Sequence, residues 1–128
     1  MLSWYILINL LNYIQVWHEL NMEKTITNKI IKYINKSYHQ AIVKKRLSTG
    51  STDNTGYPDI TGSISGIRVE IEVKQPGCEP TKLQYSRIRK LNKNNCIAFW
   101  ADSLESAIYQ LDQALLAWDN KIIFNKAV

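Results

Sequence analysis

Cysteine and histidine are scarce in this chain, with two of each in 128 residues. Cys78 and Cys96 are too few for a disulfide framework and suit a reducing, cytoplasmic compartment. No Cys-x-x-Cys pair and no Cys/His spacing of a zinc site occurs. His18 and His39 lie apart in sequence from the polar residues that carry the argument below, and neither has metal-ligand spacing. A membrane span is missing too. Leu2 to Trp17 is uncharged, but it is shorter than the ~20 apolar residues a spanning helix needs, and Asn9, Asn12 and Gln15 interrupt it. It has neither a basic lead nor a small-residue cleavage site, which argues against a signal peptide.

What remains is a chain of ordinary globular composition, 45% hydrophobic and 21% charged, long enough for one domain with a core. Its net charge of +5 suits a polyanionic partner. The stretch Gly56 to Lys74 organises the rest. Ile67, Val69, Ile71 and Val73 alternate with Arg68, Glu70, Glu72 and Lys74, the period-2 pattern of a strand. Ile60, Gly62 and Ile64 alternate in the same way with Asp59, Thr61 and Ser63. Ser65-Gly66 between them is a turn signal. A two-residue loop there pairs Ile64 with Ile67 and sets Asp59 opposite Glu72, on one face of a hairpin.

Two carboxylates side by side repel, and a site that keeps both ionised holds a cation between them. Mg²⁺ takes one or two carboxylates and keeps several waters. Lys74 follows Glu72 by two residues on the same face. Two hard oxygen ligands and an ammonium suit metal-assisted phosphodiester hydrolysis.

Pro58-Asp59 followed by Glu72-Val73-Lys74 resembles the PD-(D/E)xK nuclease motif. More narrowly, the chain resembles the VRR-NUC branch of that superfamily over roughly Met22 to Leu111. The residues that carry this are Gly56 to Ile60, Gly66, Ile71 to Lys74, and Thr81-Lys82-Leu83-Gln84. The resemblance implies a restriction-endonuclease-like α/β sandwich with a mixed sheet. It implies Mg²⁺ or Mn²⁺ held by Asp59, Glu72 and the Val73 carbonyl, with Lys74 handling water and phosphate. Glu23 and Gln84 are further site members on the family pattern. The implied activity is structure-selective DNA cleavage, branched DNA being a candidate. One departure is Asn92 to Asn95, where the family commonly carries glycine.

Along the chain, Asn21 is expected to cap a helix from Met22 to about Tyr38, with Ile26, Ile30, Tyr33, Ile34 and Ser37 on one face. Glu23 shares that stripe; it is either inward or a first-turn acid favourable to the helix dipole. Residues 1–21 then form an apolar lead segment, either an oligomer contact or an extension dispensable to the domain at 22–128. A short strand at Ala41 to Val43 leads into Lys44, Lys45 and Arg46, expected at phosphates. A turn-rich run spans Ser48 to Gly56. Thr81 opens a helix to about Lys93 with a capping box closed by Gln84, and Leu83, Ile88 and Leu91 inward. Lys82, Arg87, Arg89 and Lys90 make that helix basic. Cys96 to Ala101 reads as a buried strand. Asp102 or Ser103 caps a last helix with Leu104, Ile108, Leu111, Leu115 and Trp118 on one stripe, ended by Asn120-Lys121 before a short strand at Ile122 to Phe124.

The expected function is a small nuclease acting on nucleic acid, DNA ahead of RNA, with a homodimer as one reading of the apolar stripes. Two other classes fit parts of the chain. A non-catalytic nucleic-acid-binding module would use the same basic surface. A membrane-surface or scaffold protein would use the apolar start and leave the carboxylate pair unexplained.

Overall fold

The computed structural model describes residues 3–47 and 55–126. The elements are α1 (Trp4–Ser37), β1 (Ala41–Lys45), β2 (Ile60–Ile64), β3 (Ile67–Val73), α2 (Lys82–Lys93), β4 (Ile97–Ala101) and α3 (Leu104–Lys126). The four strands form one mixed sheet in the order β1-β2-β3-β4. β1–β2 and β2–β3 are antiparallel, and β3–β4 is parallel across the α2 connection. This is the mixed-sheet α/β architecture expected of the chain.

The hairpin forms in the expected register, Ile64 facing Ile67 and Ile60 facing Ile71. Ser65 and Gly66 both sit at positive φ, 48° and 82°, as a two-residue hairpin turn of matching twist requires. Gly62 has a different reason to be glycine. It pairs with Val43, and a Cβ there would run into the backbone of Ile42 and Val43. Any larger residue would push β1 off the sheet.

The sheet has helices on both faces. Ile60, Ile64, Val69, Ile71 and Val73 pack with Ile30 and Ile34 of α1 and with Ala107 and Leu111 of α3. In β4 the alternation divides the two layers. Ile97, Phe99 and Ala101 join this main core, while Ala98 and Trp100 pack with Ile88, Leu91 and Cys96 under α2. Central β3 is therefore covered on both sides. Glu70 and Glu72, on its polar face, are as buried as its valines, at 0% and 3% exposure.

Several boundaries differ from the sequence expectation. α1 is one helix of 34 residues, about 51 Å long. Ser3, not Asn21, caps it, its Oγ accepting from the Ile6 N–H at 3.3 Å. Asn21 sits inside the helix and donates from Nδ2 to the Trp17 carbonyl at 2.9 Å. No proline or glycine lies between Trp4 and Ser37 to stop the helix. Residues 3–17 are exposed along their whole length, and the buried residues of α1 begin at Thr27. Tyr33 lies at the surface, edge-on to Tyr38, so Thr27 takes a core place that was expected for Tyr33. Leu83, expected inward, is 44% exposed, and the buried residues of α2 are Ile88 and Leu91. The strand expected at Ile122 to Phe124 is absent. α3 runs on to Lys126, since Asn120-Lys121 carries no helix-breaking residue. Ser103 caps α3, accepting from the Ser106 N–H at 3.0 Å. Asn95 adopts φ 59° at the end of α2, so asparagine supplies the left-handed turn for which glycine is the usual residue. Among the described residues no helix is long and apolar enough to cross a membrane.

Candidate active site

β2, β3 and α2 bring the chemistry together. Asp59 immediately precedes β2, one step beyond the Ile60–Ile71 pair, which places it beside Glu72. Its Oδ2 accepts from the Val73 N–H at 3.1 Å. Val73 thus enters the site through its amide, which holds the Asp59 carboxylate against β3. The Asp59 side chain lies close enough to Glu72 for its negative charge to act on the Glu72 carboxyl.

Glu72 is fixed by α2. The Gln84 Nε2 donates to Glu72 Oε1 at 3.0 Å. The same amide accepts the Thr81 N–H through Oε1 at 2.8 Å, while Thr81 Oγ1 accepts from the Gln84 N–H at 3.2 Å. The capping box and the site contact are therefore one arrangement, and the box orients the amide toward Glu72. Lys74 Nζ stands 3.8 Å from Glu72 Oε1, within Coulombic range but beyond a hydrogen bond, so its donors stay available. Glu72 Oε2 is buried and has no hydrogen-bond partner.

The Glu72 carboxyl is pushed up to about 8. Burial is the main cause, followed by the negative charge of Asp59. Lys74 opposes the shift, and the nearness of the Asp59 side chain and the charge of Glu23 add to it. Glu23 of α1 thus lies within electrostatic reach of the pair. Among the described residues no three His, Cys, Asp or Glu side chains form a cation-holding group. Two carboxylates are what the chain brings together, a set that fits an ion completing its shell with carbonyl and water.

A second cluster, absent from the sequence reading, supports the first. Glu70 is fully buried two residues before Glu72. Arg46 Nη2 donates to both its oxygens at 2.9 and 2.7 Å. Arg68 donates to its Oε1 from Nε and Nη2 at 3.0 and 2.7 Å, and Thr61 Oγ1 at 3.0 Å. Arg46 also donates from Nε to the Pro58 carbonyl at 2.9 Å and from its backbone N–H to the Asp59 carbonyl at 2.6 Å. Its guanidinium lies 5.4 Å from the centre of the Tyr57 ring. Expected at a phosphate, Arg46 is instead turned inward, where it ties Pro58-Asp59 to β3. Its neighbours Lys44 and Lys45 are exposed, as are Lys82, Arg89 and Lys90 on α2. Arg87 is half-buried, 4.6 Å over the Tyr57 ring. A sequence signal for the cluster did exist: Arg68 and Glu70 are two apart on one strand face, a spacing that lets them meet.

The four-stranded mixed sheet between helices is a fold that this chain shares with solved VRR_NUC domains. Two solved structures share the fold. One, a VRR_NUC domain protein, aligns with a TM-score of 0.58 at 18% identity, over 72% of this chain and 86% of its own. Another, a VRR_NUC domain, aligns with a TM-score of 0.52 at 18% identity, over 73% of this chain and 94% of its own. No protein-family model matches the sequence, and no curated protein does.

Proposed function

We propose that the chain is a Mg²⁺- or Mn²⁺-dependent nuclease that hydrolyses phosphodiester bonds in DNA, with branched DNA as a candidate substrate. The observation that carries this is Glu72 Oε2, a buried carboxylate oxygen with no protein partner, beside the Asp59 carboxylate. A buried oxygen of this kind costs free energy unless something meets it. Asp59, Glu72 and the Val73 carbonyl would hold the ion. When bound, the ion would neutralise phosphate charge and make water a better nucleophile.

The other roles follow from the side chains themselves. Gln84 engages Glu72 Oε1 and leaves Oε2 for the cation. Lys74 keeps its ammonium available for a phosphate oxygen or the attacking water, where charge develops. Glu23 adds negative potential on the α1 side. Arg46 anchors Asp59 through Glu70. Lys44, Lys45, Lys82, Arg87, Arg89 and Lys90 would meet the backbone phosphates. Cleavage of labelled duplex, single-stranded and four-way DNA tests the proposal. Cutting with Mg²⁺ or Mn²⁺ that stops in EDTA is expected. DNA binding without cutting of any substrate would make the chain a binding module instead.

A further inference from the structure

A cavity of about 310 Å³ lies alongside α2, lined by Tyr57, Arg68, Arg87, Lys90, Leu91 and Asn94 among others. Three of these side chains are cationic and none is acidic. Among the described residues the one carboxylate paired with any of them is Glu70, which binds Arg68 and also Arg46. Arg87 and Lys90 have no acidic partner there. Arg87 leans on the Tyr57 ring and reaches the Tyr57 hydroxyl at 3.5 Å, while its Nε is buried without an acceptor. A cavity lined by two guanidinium groups and an ammonium, with a single carboxylate offsetting them, calls for an anion with several oxygens. Guanidinium groups match phosphate in this way.

The cavity's position relative to the carboxylate pair follows from the two elements that frame it. Gln84 touches Glu72, and Arg87 and Lys90 follow three and six residues on, about 4.5 and 9 Å along α2. Arg68 precedes Glu72 by four residues, about 13 Å along β3. These offsets, about 4.5–13 Å along the two elements, set the cavity beside the carboxylate pair rather than on it. We infer that this cavity is a phosphate subsite, holding a backbone phosphodiester next along the strand from the bond that Asp59 and Glu72 act on. The substrate assignment rests on the proposed nuclease function; the anion site does not.

The test uses the full chain in EDTA, where cleavage cannot interfere. Inorganic phosphate, titrated against chloride at matched ionic strength, should raise the melting temperature saturably. Arg87→Gln should abolish that response. Should Arg87→Gln fail to fold, Lys90→Gln, at an exposed position, should give the same loss. Lys36→Gln makes the same charge change at an exposed position on α1, outside the cavity lining, and should keep the response. An equal phosphate response in wild type, Arg87→Gln and Lys90→Gln would overturn the subsite. A second arm separates backbone phosphate from free phosphate by scanning a bound oligonucleotide with single neutral methylphosphonate linkages. Wild type should lose about tenfold in affinity at one linkage, and Arg87→Gln should lose nothing there. Phosphate binding with no such position would overturn the backbone assignment. If Mg²⁺ supports no cleavage in separate assays, the nuclease reading fails, and the phosphate titration still decides the subsite.

Discussion

Replacing Arg46 by alanine tests whether this residue is part of the scaffold or of a solvated basic surface. The substitution removes both bonds to Glu70, the bond to the Pro58 carbonyl and the contact with Tyr57. Breaking one side of a buried ion pair costs about 3–5 kcal/mol when the remaining charge is stranded. Glu70 is not wholly stranded, because Arg68 and Thr61 still reach Oε1. Arg68 is more than half exposed, so its compensation is weakened by solvent, and about 2–3 kcal/mol is the expected loss. With an unfolding entropy of about 2.1 cal/mol/K per residue, a 128-residue chain loses about 4 °C of melting temperature per kcal/mol. Arg46→Ala should therefore melt about 7–11 °C below wild type. Lys44→Ala, at an exposed position of β1, should shift it by less than about 2 °C. The Arg46→Met/Glu70→Leu pair should recover much of the loss, because it removes both charges together. Calorimetry that finds Arg46→Ala within 2 °C of wild type would refute the scaffold role.

Three further outcomes are expected. The raised Glu72 carboxyl holds a proton in the folded metal-free chain at pH values where the unfolded chain has lost it, so metal-free stability should fall as pH rises from about 4.5 toward 8. A cation must displace that proton, so Mg²⁺ affinity measured calorimetrically should rise up to about tenfold per pH unit toward pH 8, and affinity flat from pH 6 to 8 would contradict the assignment. Gln84→Ala removes both the capping-box return and the bond to Glu72; it should cost about 1–2 kcal/mol in denaturant unfolding and weaken Mg²⁺ binding as well, whereas a purely structural Gln84 would change stability alone. A chain beginning at Met22 should melt within a few degrees of the full chain, because residues 3–17 are exposed throughout; loss of cooperative unfolding would show that the lead segment is required.

The hairpin was legible because two local signals agree. Strict alternation on both strands and a Ser-Gly turn fix the two faces and exclude a one-residue slip, and a four-residue loop, which shifts the pairing by two, would keep the same faces. The α2 capping box was legible for the same reason, since Thr81 and Gln84 are only three residues apart. The Glu70 cluster was not. Alternation places Glu70 on the polar face, but only tertiary packing of α2 reveals that this face is buried. Arg46 lies 24 residues from Glu70 in sequence, and nothing local shows that β1 pairs with β2 and carries it there. The continuity of α1 was obscured by a change in composition near Asn21, which resembles a boundary although no residue there stops a helix. At Ile122 to Phe124 a short apolar run continues the helix, an ambiguity that periodicity cannot resolve over so few residues.

The most direct test of the central claim pairs Mg²⁺ binding with cleavage in wild type, Asp59→Ala and Lys74→Ala. Asp59→Ala removes a ligand and should lose metal affinity and cleavage together. Lys74→Ala removes a cation beside the ion, so Mg²⁺ should bind as tightly as in wild type or more tightly. Its cleavage should still fall about 10²–10³-fold, the usual effect of losing a transition-state contact. Equal cleavage by all three proteins would contradict the account, as would loss of Mg²⁺ binding in Lys74→Ala with retention in Asp59→Ala.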